Sequence, residues 1–266
     1  MQTVTSADGT TIAYDRSGSG PLLIMITGAT CFRRFFPVVA DAKALAQAFT
    51  VINYDRRGRG DSADHAEWAI DKEVDDIEAL IDANGGPAIL YGHSSGAVLA
   101  LEAALRLPSK VRAIAAYDAS YVNGEQERVQ YAELSNQVDE LLREGQNAKA
   151  LKRFLTGIGM PKAFVTLLPV LPGWSSMKRL APTLRYDIAL TKDQPDLARI
   201  ARIAVPTLLM VGGKSPGTLR RTHAALAGAI PAATATVVEG QDHMVSGTVV
   251  RTLLADFVSS ADLATG

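Results

Sequence analysis

The run Gly92-His93-Ser94-Ser95-Gly96 sets a serine in Gly-x-Ser-x-Gly spacing. A serine hydroxyl becomes an effective nucleophile only when a base takes its proton and a third group orients that base. In a turn this tight, Cβ atoms two positions either side of the serine would collide, which accounts for Gly92 and Gly96. The turn also sets Ser94 at the positive end of the segment that follows, where a developing oxyanion is stabilised. The chain has four histidines to supply the base: His65, His93, His223 and His243. His93 neighbours Ser94 in a turn that aims adjacent side chains apart, so packing is its expected role. His65 follows an Arg-Gly-rich run, and His223 falls inside a predicted helix, Thr218 to Ala229. His243 stands in Gly240-Gln241-Asp242-His243-Met244, between a predicted strand and helix. Cys31 is the only cysteine, so neither an intrachain disulfide nor a cysteine-based metal cluster can form. No ligands at metal spacing are present, and the chemistry is expected to need no metal or organic cofactor.

The elements that position these residues follow from periodicity. Short β-type runs are predicted at Thr11 to Tyr14, Leu22 to Ile26, Thr50 to Tyr54, Ala88 to Tyr91, Val111 to Tyr117, Thr207 to Val211 and Thr234 to Val238. Amphipathic helices alternate with them: Asp71 to Asp82 sets Val74, Ile77, Leu80 and Ile81 on one face, and Ala- and Leu-rich Ser95 to Leu107 stops before Pro108. Ser94 therefore sits in a strand-turn-helix context, which a nucleophile elbow requires. The alternation predicts an α/β fold with a mainly parallel sheet covered on both faces. From Tyr121 to about Ala201 the strand signal disappears. Helical patterns such as Val129 to Glu144 give way to an apolar, Pro-rich stretch with Pro161, Pro169, Pro172 and Pro182, too long for a loop and read as a helical insertion.

With 266 residues and 47% hydrophobic side chains, the chain can bury roughly three quarters of its unfolded surface, which excludes overall disorder. Lys plus Arg is 27 against 28 for Asp plus Glu, so nothing electrostatic asks for nucleic acid or an anionic membrane. No apolar run approaches the ~20 residues of a membrane span, and the first residues show no secretory signal. A cytoplasmic protein is expected.

The elbow, together with Asp55-Arg56-Arg57-Gly58-Arg59-Gly60-Asp61-Ser62, resembles the α/β-hydrolase fold family over nearly the whole chain. The second motif is similar to the family's Asp-x-Arg-Gly-x-Gly-x-Ser loop and is read as structural, with Asp55 and the arginines tying the loop together. The resemblance implies an eight-stranded, mainly parallel sheet flanked by helices, with a core of residues 1–121 and 202–266 and a helical cap of residues 122–201. It implies that His243, in the loop before the last helix, is the catalytic base. Most members carry the acid after the penultimate strand, but here that strand ends Val211-Gly212-Gly213-Lys214-Ser215 without a carboxylate. Some members place the acid one strand earlier, which implies Asp118 directly after Val111 to Tyr117. A helix cap or turn former is its structural alternative. Asp242 is a poor rival because a sequence neighbour of His243 cannot easily reach round to its Nδ1. The resemblance assigns the oxyanion-binding backbone N–H groups to Ser95 and to Ala29 in Thr27-Gly28-Ala29. It sets Cys31 beside the acyl pocket, unless it is simply a small buried hydrophobe.

A serine hydrolase is the leading expectation: His243 deprotonates Ser94, an acyl-enzyme forms on a small-molecule ester or related acyl substrate, and water releases the acid. Phe164 and Trp174 in the insertion are expected to line an apolar cap favouring uncharged, moderately hydrophobic substrates. Perhydrolysis, lactone opening, C–C hydrolysis and cyanohydrin cleavage belong to the same fold, as does a non-catalytic receptor-like module. The substrate and the oligomeric state are not legible in the sequence.

Overall fold

The computed structural model describes residues 1–261 apart from Ala66 and Pro172; Pro172, named above, thus lies outside the described residues. Eight strands form one sheet: β1 Gln2–Thr5, β2 Thr11–Ser17, β3 Leu22–Ile26, β4 Thr50–Tyr54, β5 Ala88–His93, β6 Val111–Tyr117, β7 Thr207–Gly212 and β8 Ala233–Val238. Their order is β1-β2-β4-β3-β5-β6-β7-β8, with the β1–β2 and β2–β4 pairings antiparallel and the rest parallel. The helices are α1 Phe36–Leu45, α2 Ile70–Ala83, α3 Ser95–Arg106, α4 Glu125–Arg143, α5 Asn147–Gly157, α6 Lys162–Leu167, α7 Trp174–Leu180, α8 Leu184–Thr191, α9 Leu197–Ile200, α10 Gly217–Ala229 and α11 Gly247–Ser260. Helices α4 to α9 all fall between β6 and β7, where the strand signal disappears.

Both faces of the central strands are covered, so β4 and β7 are buried along their whole length, and β7 reads as a near-continuous apolar run. Side chains two apart share a face. Ile89 and Tyr91 of β5 pack with Val38 and Leu45 of α1 and Val250, Leu254 and Phe257 of α11. Leu90, pointing the other way, packs with Ile77 and Leu80 of α2 and Val98 and Leu101 of α3. The helices between β6 and β7 have a cluster of their own, with Leu134, Val138, Leu151, Phe154, Met177, Leu184 and Ile188 buried together.

Strand β1 has no counterpart among the strand runs read from periodicity. It is an edge strand with three exposed residues of four, and only Val4 packs against the core, so it lacks the alternation that marks a half-buried strand. The predicted face of α2 is correct for Val74, Ile77, Leu80 and Ile81, but Glu73 and Asp76 are buried beside them. These acids meet the arginines of the 55–62 loop: Arg56 forks onto Glu73 at 2.6 and 2.7 Å, and Arg57 forks onto Asp76 at 2.8 and 2.7 Å. Asp55 ties the loop itself, accepting from Asp61 N at 2.9 Å and from Arg33 N at 2.7 Å. The arginines reach beyond the loop, further than its sequence suggests.

Candidate active site

Strands β5, β6 and β7 are neighbours, and their register sets His93 opposite Tyr117. Ser94 and Asp118, the next residues, therefore emerge side by side at the carboxyl edge of the sheet. Ser94 N donates to Tyr117 O at 3.0 Å, and Asp118 N donates to Met210 O at 2.9 Å, which carries the ladder one step beyond the strands. Ser94 has φ 57° and ψ −123°, a strained conformation that the surrounding structure must hold. A Cβ at Gly96 would overlap the Ile26 carbonyl oxygen, and one at Gly92 would overlap Gly96 and Ala97. Both glycines are required by close approach: Gly92 within the turn, as the spacing implies, and Gly96 against β3 instead.

Asp118, with φ 48°, is 1% exposed. Its Oδ2 accepts from His243 Nδ1 at 2.8 Å and from Ser215 Oγ at 2.6 Å, while Oδ1 accepts from Gly212 N at 3.1 Å. Three donors thus compensate the desolvation of a buried carboxylate. Asp242 turns its Oδ1 to Met244 N at 2.8 Å, inside its own loop, and Asp187 lies elsewhere, among arginines. Ser215, in the loop without a carboxylate, is a partner that sequence reasoning missed; a serine there carries no signal until Asp118 is known to lie opposite.

The loop bearing His243 is held by two further contacts. Tyr117 Oη donates to Asp242 O at 2.5 Å, and His93 Nε2 lies 2.8 Å from His243 O. A carbonyl only accepts, so His93 carries its proton on Nε2. The rings of His93 and His243 lie 4.8 Å apart. His93 therefore does more than pack: it props the backbone of His243. Burial, reinforced by the neighbouring His243, pushes the His93 imidazole down to about 4. Since unfolded chains protonate this ring near 6.5, its charging favours unfolding, and stability is lost as pH falls from about 6.5 to 4. A His93→Gln variant, which keeps a donor, is expected to lose about 1–2 kcal/mol less than wild type between pH 7 and 5; thermal melts at the two pH values check this.

Ser94 Oγ lies 3.2 Å from Ser120 Oγ, and Ser120 donates its proton to Asp118 O at 3.0 Å. The Ser120 oxygen is thus left to accept from Ser94. Ser94, Ala29 and His243 border two cavities, of about 560 and 650 Å³. The first is lined mainly by apolar side chains, including Cys31, Phe164 and Trp174. The second is more polar, with Ser120, Tyr131, Glu133 and Arg153. Ser95 borders the second, and a Cβ at Gly28 would lie 3.0 Å from Ser94 Cβ, so the 27–29 loop runs against Ser94. Burial pushes the Cys31 thiol up to about 11. His65 and His223 stand apart: His65 is exposed, and His223 Nε2 is 3.2 Å from Leu209 O. Among the described residues no group of three His, Cys, Asp or Glu side chains could hold a metal ion, and no helix is long and apolar enough to cross a membrane.

Comparison with known proteins agrees with this architecture. An alpha/beta hydrolase from Sphaerobacter thermophilus is 39% identical, with a TM-score of 0.86 over 96% of this chain and 99% of that one. An uncharacterized hydrolase of Bacillus subtilis is 36% identical over 107 residues, 39% of each chain. A 2-(acetamidomethylene)succinate hydrolase of Mesorhizobium japonicum is 38% identical over 112 residues, 41% of this chain and 39% of that one. The matches with these two curated relatives thus span about two fifths of their length. The model of the alpha/beta hydrolase family matches residues 7–249, nearly the whole chain. On that match the protein belongs to the alpha/beta hydrolase family.

Proposed function

We propose that this hydrolase cleaves an ester or related acyl bond of a small, moderately apolar substrate through an acyl-enzyme on Ser94. The observation that carries the reading is the 2.8 Å bond between His243 Nδ1 and Asp118, in a loop that borders the same cavities as the strained Ser94. With Nδ1–H donated to Asp118, Nε2 is free to accept the Ser94 proton as Ser94 turns from Ser120. The alkoxide adds to the acyl carbon, and the carbonyl oxygen takes the negative charge opposite the N–H groups of Ala29 and Ser95. His243 returns its proton to the leaving group as the carbon–heteroatom bond breaks. It then deprotonates a water that attacks the acyl-enzyme, and protonates Ser94 as the acid departs.

The helices between β6 and β7 act in this reading as a cap over the apolar cavity. Phe164 is 42% exposed and yet lines it, so it contacts the substrate at modest cost to the fold when changed. The test is turnover across a series of chromogenic esters of increasing acyl length, with intact-mass detection of an acyl adduct. Wild type is expected to show an adduct and a preference for short or medium chains. Phe164→Ala and Trp174→Ala are expected to shift that preference by about 10-fold, the worth of one or two methylenes in an apolar pocket. An unchanged profile in folded variants would remove the cap from specificity, and no turnover or adduct with any ester would overturn the acyl-transfer reading.

A further inference from the structure

Beneath the elbow lies a cluster of charges that the steps above do not use. Arg56, Arg59, Glu73 and Asp187 are each 1% exposed, and Ser95 is 2% exposed. Asp187 belongs to α8, in the segment between β6 and β7, yet every partner of its carboxylate lies on the sheet side. Its Oδ1 accepts from Ser95 Oγ at 2.7 Å and from Arg56 Nη1 at 2.8 Å, and its Oδ2 accepts from Arg59 Nη2 at 2.7 Å. Arg59 Nη1 in turn donates to Gly28 O at 2.7 Å, and Arg56 Nη1 donates to Thr27 O at 3.3 Å.

The Gly28 contact matters because of the peptide plane. Gly28 O and Ala29 N–H belong to one trans peptide and point in opposite directions. A guanidinium fixed on the oxygen therefore fixes where the N–H points, and its charge polarises the peptide into a better donor. On the other side, the Ser95 hydroxyl tethers to Asp187 the residue whose own N–H is the second donor. One carboxylate thus anchors both halves, Ser95 directly and Gly28–Ala29 through Arg59. The inner group is neutral as a set, two arginines against Glu73 and Asp187, which lets it stay buried.

We propose that Asp187 and Arg59 are positioning residues for the oxyanion site, aligning the Ala29 and Ser95 N–H groups from behind. The proposal rests on the acyl-transfer reading above and makes seating of α8 a condition for that alignment. A role confined to holding α8 in place would not weaken binding of a tetrahedral adduct selectively, and this separates the two.

The experiment compares wild type with Asp187→Asn and Ser95→Ala. The second variant keeps the backbone N–H and both arginine–Asp187 pairs, so it carries the test if Asp187→Asn does not fold. Three quantities are read: kcat and KM for a chromogenic ester, the inhibition constant of an alkyl boronic acid that adds to serine, and that of an amide isostere of the same chain that forms no adduct. Both variants are expected to lower kcat by about 10- to 100-fold, somewhat less than outright loss of an oxyanion donor. KM and amide binding should stay within threefold, boronate binding should weaken in parallel with kcat, and the pH profile should keep its wild-type midpoint. Folded variants with kcat and boronate binding within twofold of wild type would overturn the proposal, as would equal weakening of boronate and amide. Absence of a boronate adduct on wild-type Ser94 would instead overturn the acyl-transfer reading, and this proposal with it.

Discussion

Ser94→Ala is expected to lower ester turnover by about 10⁶-fold, with the fold and the apolar cavity unchanged. The residue sits at φ 57° between two glycines that close contacts demand, so alanine inherits a backbone conformation already imposed from outside. What disappears is the oxygen that His243 would activate. Residual catalysis over water, about 10³- to 10⁴-fold, would come from the oxyanion donors and substrate binding alone. A fluorophosphonate probe supplies the complementary measurement: one adduct on wild type, mapped to the peptide containing Ser94, and none on the variant. Labelling that persists in Ser94→Ala would place the nucleophile elsewhere.

Asp118→Asn carries the next largest effect, a fall in turnover of about 10⁴-fold. The carboxylate accepts from His243 Nδ1, whereas an amide nitrogen in that place would demand an acceptor there. The imidazole would then carry its proton on Nε2, facing Ser94, and could not take another. Gly212 N and Ser215 Oγ hold the remaining lone pairs, so asparagine fits the site sterically and the loss is one of tautomer and charge. Asp242→Asn, whose Oδ1 serves only its own loop, is expected to stay within about threefold. Near-normal turnover in Asp118→Asn with collapse in Asp242→Asn would reverse the assignment. The pH profile separates this variant from Asp187→Asn: only loss of the group bonded to His243 moves the midpoint of activity.

Much of this arrangement is legible in the sequence because local rules and global fold agree. Gly92 reports contacts made within five residues, on Gly96 and Ala97, whereas Gly96 also answers to the distant Ile26 carbonyl; the β5 and α3 runs around them follow from periodicities of two and 3.6. The residue after β6 is legible for another reason: set against the family's usual pattern, a missing carboxylate after β7 makes the one after β6 conspicuous. What is not legible depends on contacts between distant segments. Ser215 and Ser120 are ordinary loop serines until Asp118 and Ser94 are placed beside them. Glu73 and Asp76 look like the solvated face of α2, because hydrophobic periodicity has no term for an acid that finds a buried arginine. Asp187 lies 128 residues from Arg59 in the chain, and nothing local marks it as their meeting point.

That crossing of charges bears on how the chain could be recombined with its relatives. The helices between β6 and β7 have their own apolar cluster and look exchangeable, like a cassette to be traded for one of different specificity. Yet a donor segment lacking an acid at the Asp187 position would leave Arg59 without its carboxylate partner in the interior, while Arg56 keeps its fork on Glu73. An orphaned buried charge of that kind costs about 3–5 kcal/mol, a large share of the 5–15 kcal/mol that keeps a typical domain folded. Chimaeras that carry the aspartate across the junction, or neutralise Arg59 with it, should survive where simple swaps fail, so the unit of inheritance here is the segment together with the 55–62 loop.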